Sequence, residues 1–330
     1  MRVGILYNLV DKVEKGRDDD KLADNEVLET AAAVKDALDS SGHEATLERV
    51  SIEGLPSLKK KYDFIFNLAE GIGNDALQEP EIARILEESG MRFTGSSSKA
   101  LKLCLDKKAA KQHLIKNDIL TPRFQLFERA DEKRDPALKF PLIVKPVHED
   151  GSIGITSDSV VNDDSSLKAK VEEIISLYKQ PTLVEEYIEG REINVAVLGN
   201  GENVEILPLS EIIFDFEDDT PRIVSFDAKW IEESPLFKGT KGKCPADVPE
   251  DIKEKIIALA RKSFLAMGCS DYGRVDFRIR GEELFVLEVN PNPCINPEGA
   301  GFINSGEAAG YDYAGLMNRI LEIAMKRNSS

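Results

Sequence analysis

The chain opens on a continuous apolar run, Val3-Gly4-Ile5-Leu6, the pattern of a strand covered on both faces. Polar and charged residues fill 11–25, after which a helix-like periodicity runs over 25–40 and is ended by Ser41-Gly42. Tyr62-Asp63-Phe64-Ile65-Phe66-Asn67-Leu68 reads as a second buried strand, and it enters Gly71-Ile72-Gly73 ahead of a helical pattern over 78–88. This order predicts an open α/β domain over residues 1–95 whose loops face a cleft, because in such sheets ligands bind beyond the strand ends.

Residues 96–116 look helical, and Thr121-Pro122 stops them. Phe140-Pro141-Leu142-Ile143-Val144 then forms an apolar run ending in Lys145-Pro146, a strand with a lysine at its end. Strand-like 182–184 and 192–198 flank Ile188-Glu189-Gly190, and a helix over 249–266 precedes a hairpin of 272–279 and 283–289 across Arg280-Gly281-Glu282. A last helix covers 313–326. This part divides into a central lobe, 96–188, and a strand-rich C-terminal lobe, 189–330, without internal repeats or low-complexity segments.

A length of 330 residues suits several modest domains, and 42% apolar with 31% charged residues is the composition of a soluble globular protein. No apolar stretch approaches the ~20 residues that span a bilayer, and the first residues lack signal-peptide layout, so a cytoplasmic location and no membrane partner are expected. A formal charge of −17 opposes binding to nucleic acid or an anionic membrane and demands a locally basic pocket for any anionic substrate. Cys104, Cys244, Cys269 and Cys294 contain no C-x-x-C pair, and His43, His113 and His148 lie far apart, which argues against zinc. The cysteines are expected as reduced packing residues.

Three constellations carry candidate chemistry. Glu288-Val289-Asn290 ends the predicted hairpin; alternation puts Glu288 and Asn290 on one face, and pairing with Arg274-Val275-Asp276 can bring Asp276 beside them. Such hard oxygen donors suit magnesium that also holds nucleotide phosphates, although an acidic pair at a hairpin is commonly solvated surface. Lys145-Pro146-Val147-His148-Glu149-Asp150-Gly151-Ser152-Ile153-Gly154-Ile155 sets a lysine before a flexible Gly-Ser-x-Gly loop whose N–H groups can converge on phosphate. It matches neither G-x-x-x-x-G-K-[ST] nor G-x-G-x-x-G, and a plain hairpin turn is the alternative. Leu183-Val184-Glu185-Glu186-Tyr187-Ile188-Glu189-Gly190-Arg191-Glu192 joins carboxylate-rich strands, where a carboxylate can accept both ribose hydroxyls and the backbone can pair with an adenine edge.

In their order these elements resemble the ATP-grasp carboxylate–amine ligases and, within them, the D-alanine–D-alanine ligase group. The resemblance covers nearly the whole chain. It extends to Asn67-Leu68-Ala69-Glu70-Gly71-Ile72-Gly73, Thr94-Gly95-Ser96, Asp106-Lys107 with Lys111, Thr121-Pro122, Phe226-Asp227-Ala228-Lys229-Trp230 and Cys244-Pro245-Ala246. It implies an ATP-grasp fold of α+β lobes behind an N-terminal open α/β domain, with ATP and magnesium or manganese, two ions, as cofactors. Lys107 and Lys145 would contact phosphates beneath a lid, 148–155, that includes Ser152, Ile153 and Gly154. Glu185, Tyr187 and Ile188 would line the adenine site, and Glu192 would bind the ribose. Lys229 would be a further phosphate contact on a closing loop, and Asp276, Glu288 and Asn290 would hold the metal. Arg274 would stabilise the substrate carboxylate and the tetrahedral intermediate, and Glu26 would meet the first substrate's amino group; with Lys229 and Ser152 these form the expected catalytic set.

The implied reaction is ADP-forming synthesis of a C–N bond. The γ-phosphoryl group converts a carboxylate to an acyl phosphate, which an amine attacks while a lid excludes water. Gly151 and Trp230 stand where the group commonly has a hydroxylated residue and a tyrosine, so the hydrogen-bonded latch with Glu26 is expected to be missing and Trp230 to close the site by packing. The loop 291–302 places Gly299 near the position of a serine that grips the second substrate, and Glu186 replaces a common lysine. A ligase of small amino-acid-like substrates is therefore expected, an amino-acid or dipeptide ligase. D-alanine–D-alanine ligase proper is the narrower alternative, and an ATP-grasp small-molecule kinase or a nucleotide-binding regulatory protein are the others. A homodimer is left open.

Overall fold

A computed structural model describes residues 1–73, 75–216 and 219–327. β1 (Arg2–Tyr7), β2 (Glu44–Arg49) and β3 (Phe64–Asn67) pair in parallel in the order β2-β1-β3, with α1 (Lys21–Ser40), α2 (Leu58–Lys61) and α3 (Glu79–Glu88) around them. Val3, Ile5, Phe64 and Phe66 face Val34 and Leu38 of α1, whereas Leu6 and Ile65 face Leu58, Ile82 and Leu86. Covered faces on both sides account for the unbroken apolar runs. The first helix starts at Lys21, earlier than the periodicity suggested. Lys21, Leu22 and Ala23 are good helix formers, and a short 3-10 turn over Asp18–Asp20 leads into them.

The helical stretch over 96–116 is two helices, α4 (Ser98–Leu105) and α5 (Lys107–Lys116). Asp106 breaks it with extended backbone (φ −85°, ψ 96°), and its carboxylate caps α5 by accepting the Ala109 N–H at 2.9 Å. The turn of direction buries Lys107 and Lys111. Next come β4 (Phe124–Phe127), β5 (Leu142–Pro146), β6 (Val160–Val161), α6 (Asp164–Tyr178) and β7 (Thr182–Glu186), whose strands pair antiparallel in the order β4-β7-β5-β6. Val144 and Val184 pack on Leu167, Val171 and Ile174 of α6. Lys145 is the penultimate residue of β5, opposite Leu183, at the strand end where the sequence placed it.

The remaining elements are β8 (Arg191–Gly199), β9 (Glu205–Ile206), β10 (Ser210–Phe214), α7 (Phe226–Trp230), α8 (Pro235–Gly239), β11 (Thr240–Lys243), α9 (Glu250–Ala266), β12 (Asp271–Arg280), β13 (Glu283–Asn290), α10 (Gly301–Ala308) and α11 (Tyr313–Lys326). Their sheet runs β11-β10-β8-β12-β13, with β9 on β8. One face packs Ile193, Val195, Val275, Phe277, Leu284 and Val286 against Ile256, Ala260 and Phe264 of α9. On the other face, Ala196, Leu198 and Tyr272 join the core of the first sheet through Phe302, Met317 and Ile320, so α10 and α11 tie the end of the chain to its beginning. Among the described residues no helix is long and apolar enough to cross a membrane.

Gly190, at φ +147°, carries β7 into β8 so close to β12 that an added Cβ would lie 1.9 Å from the Ile279 carbonyl oxygen. Gly190→Ala should lower the urea midpoint of unfolding, costing about 1–3 kcal/mol. An unchanged midpoint would contradict this backbone approach.

Candidate active site

Cross-strand register builds the floor of the site. Arg278 is opposite Glu192, Asp276 is opposite both Asn194 and Glu288, and Arg274 is opposite Asn290. Opposed residues share a face, so these side chains form one polar patch on the side of the sheet away from α9. Arg274 grips Asp276 with two hydrogen bonds of 2.7 Å, while Asn194 and Asn290 donate to the same carboxylate at 2.7 and 2.9 Å. Arg278 pairs with Glu192 at 2.7 Å. Glu288 accepts a longer bond, 3.3 Å, from Asn290. Burial alone would push the Glu288 carboxyl up, but the charges of Lys107, Lys145 and Arg274 more than offset it and hold the group at about 2.

The opposite wall comes from α5 and the central sheet. Lys145 and Lys111 hold the two oxygens of Glu185 at 2.5 and 2.6 Å, with Lys111 and Glu185 each 2% exposed. Two cations on one buried carboxylate leave positive charge that an anion would offset. Burial, joined by the charge of Lys145, accordingly draws the Lys111 pKa down in spite of Glu185. Lys107 donates to Asp150 at 2.8 Å and to the Glu149 carbonyl. In the loop 148–155, expected to form a lid, Gly151, Ser152 and Gly154 all have positive φ, and the Ser152 hydroxyl donates to the Val224 carbonyl at 2.7 Å.

Lys107, Lys145, Ser152, Glu185, Tyr187, Ile188 and Glu192 line one cavity. An adjoining cavity takes in Glu26, Ile153, Lys229, Arg274 and Asn290. Lys107, Asp150, Gly151, Leu287 and Glu288 line both. Gly154 and Asp276 line neither. Gly154 packs on Pro146, whose Cγ would lie 2.5 Å from an added Cβ, and Asp276 is occupied by Arg274.

At the far end the Trp230 indole N–H donates to the Gly151 carbonyl at 2.8 Å. The latch expected to be missing is therefore made by another pair, because the indole reaches the lid backbone and needs no side-chain hydroxyl. Lys229 lies 4.5 Å from the Trp230 ring. The Cys294 thiol donates to Glu26 at 3.5 Å; burial and then Glu26 push it up to about 12, so it keeps its proton. Sequence reading did not find the clamp of Lys111 on Glu185, the Arg278 partner of Glu192, or Glu79, a buried carboxyl at the start of α3. Arg278 was accessible from the alternation Arg274-Asp276-Arg278, whereas Glu79 gave no periodic signal.

Residues 114–322 match the family model described as D-ala D-ala ligase C-terminus. Over 327 residues the chain is 31% identical to the D-alanine–D-alanine ligase of Bordetella avium, covering 97% of this chain and 93% of that protein. The chain belongs to the D-alanine–D-alanine ligase family. It is also 35% identical to the uncharacterized protein y4sG of Sinorhizobium fredii over 90% of this chain and 88% of that one. The ATP-complexed D-alanine–D-alanine ligase of Bacillus anthracis shares the ATP-grasp fold with a TM-score of 0.77 at 22% identity, covering 99% of this chain and 98% of that one.

For this family member a divalent cation is a fair fit to the donors present. Among the described residues no group of three His, Cys, Asp or Glu side chains could hold a metal by itself. Magnesium, however, is commonly held by one or two carboxylates together with substrate phosphates. Glu288 is kept ionised and is lightly bonded; Asp276 would first have to give up a bond to Arg274 or Asn290.

The folded Glu288 carboxyl, at about 2, lies below its ordinary value of 4.5. Its contribution to stability is therefore complete above that ordinary value and lost as pH falls through the folded one. The stability difference between the parent chain and Glu288→Gln should shrink on acidification from 4.5 towards 2 in urea titrations. A difference independent of pH in that window would contradict the assignment.

Proposed function

We propose that the protein is an ATP-dependent carboxylate–amine ligase that joins small amino-acid-like substrates through an acyl phosphate and releases ADP and phosphate. The observation that supports this reading is the shared wall of the two cavities, where Lys107 and Glu288 stand between the residues expected to take the nucleotide and those expected to take the amino-acid substrates. A phosphoryl group handed across that wall moves directly from one ligand to the other. We read residues 1–95, 96–188 and 189–330 as the three units that bring these walls together.

In this reading ATP lies with its adenine against Tyr187 and Ile188 and its ribose at Glu192, while Lys107, Lys145 and Lys229 face the phosphates. Lys111 keeps Glu185 from neutralising Lys145 completely, because the carboxylate divides its charge between two ammonium groups. Magnesium or manganese, two ions, would be held by Asp276, Glu288 and Asn290 and would neutralise phosphate charge. Arg274 meets the substrate carboxylate and then the developing oxyanion, and its departure frees oxygens of Asp276. Glu26 receives a substrate ammonium. The lid, tied by Ser152 to Val224 and by Trp230 to Gly151, keeps water from the activated carboxylate.

ADP release with magnesium-ATP over a panel of D- and L-amino acids, singly and in pairs, with mass detection of products, tests the reaction. ADP should appear only when both partners are present, together with a product equal to their sum less one water. A stable phosphorylated amino acid without condensation would make the protein a kinase, and no ADP with any pair would count against the ligase reading. Lys145→Ala should weaken ATP binding about 10-fold or more, the scale of a charged hydrogen bond. Unchanged affinity would remove that lysine from the site.

A further inference from the structure

The amino-acid cavity holds more negative charge than a single ammonium group requires. Beside Glu26 it is lined by Glu70 and Glu79, and it continues into a recess between α1 and residues 292–295 where Glu26 and Glu70 recur and no lysine or arginine contributes to the described lining. Glu79 is the informative member. It is 7% exposed, one carboxyl oxygen accepts from Asn292 at 3.3 Å, and the other has neither hydrogen bond nor ion pair among the described residues. Of the cations lining this cavity, Lys107 pairs with Asp150, Lys111 with Glu185 and Arg274 with Asp276, and Lys229 lies over the Trp230 ring; among the described residues none of them forms an ion pair with Glu79.

We infer that this cavity takes a diamino acid, whose α-ammonium meets Glu26 and whose side-chain ammonium lies against Glu79 and Glu70. The inference rests on the ligase reading for the role of Glu26. A buried carboxyl with an unused oxygen is costly as an anion unless a donor or cation reaches it, and burial with the charges of Glu70 and Asp150 pushes the Glu79 carboxyl well up. A side-chain ammonium supplies three donors and the missing positive charge. A neutral side chain leaves that oxygen unmet and is rejected for this reason, since sites built for a hydrogen-bonding group discriminate against ligands that lack it. Asn292, on the loop that departs from the family pattern, orients Glu79.

The test uses the full chain with magnesium and a non-hydrolysable ATP analogue, and measures binding by calorimetry. Diaminopropionate, diaminobutyrate, ornithine and lysine, in both configurations, are each compared with the amino acid in which a methyl group replaces the terminal ammonium. At least one diamino acid should bind about 10- to 100-fold tighter than its counterpart. Glu79→Gln, which retains an acceptor for Asn292, should remove most of that preference, and Glu70→Gln should weaken it. A purely structural Glu79 would lower the unfolding midpoint on substitution and leave the binding ratio unchanged. Equal or tighter binding of the methyl counterparts throughout, no binding of any diamino acid, or a preference surviving both substitutions would overturn the inference. ADP release is read separately. Preference without turnover would sink the ligase reading alone, and turnover with neutral amino acids but no preference would sink this inference alone.

Discussion

The arrangement of the site depends on one unpaired residue in the hairpin β12–β13. Register passes from Asp276 opposite Glu288 to Phe277 opposite Val286, leaving Leu287 without a partner. Leu284 and Val286 face α9, and so does Val289, three positions further on. An uninterrupted strand would have continued the alternation from Val286 to Glu288 and driven that carboxylate into the apolar core beneath the sheet. The bulge reverses the phase, and Glu288 and Asn290 emerge beside Arg274 and Asp276. Leu287 itself lines both cavities, and its carbonyl accepts a 3.4 Å bond from Lys111.

Around this floor the charges are balanced locally. Arg274 answers Asp276, Arg278 answers Glu192, and two lysines answer Glu185. Buried ion pairs of this kind add little net stability, because desolvation consumes most of the Coulomb attraction. Their value is positional: each carboxylate is held in one rotamer by donors from another strand or helix. Such pairs are also exchangeable. A ligand carboxylate or phosphate that offers Arg274 or Lys145 an equivalent partner releases the original one at modest cost.

Of the positions expected to depart from the family pattern, Gly151, Trp230, Cys294 and Asn292 line the cavity that takes in Glu26, while Glu186 lines the other. They are replaced contacts, not gaps. The indole N–H holds the lid backbone, the thiol holds Glu26, and Asn292 holds Glu79 and accepts the Tyr272 hydroxyl at 2.6 Å.

The sequence by itself determined the strands β1, β3 and β13, the helix α11 and the α/β order of the first domain, because apolar periodicity and turn residues act locally. It also specified that Glu288 and Asn290 share a face, since that follows from strand alternation. The earlier start of α1 was missed because the polar stretch before residue 25 shows no apolar periodicity although Lys21, Leu22 and Ala23 favour a helix, and the break at Asp106 was missed because its capping bond forms only in the folded backbone. Only the tertiary structure decided that Lys111 would clamp Glu185, that Arg278 would hold Glu192, and that Glu79 would be buried against Asn292. These pairings join residues 74, 86 and 213 positions apart. Charge and burial at such separations are properties of the assembled walls, and no local pattern encodes them.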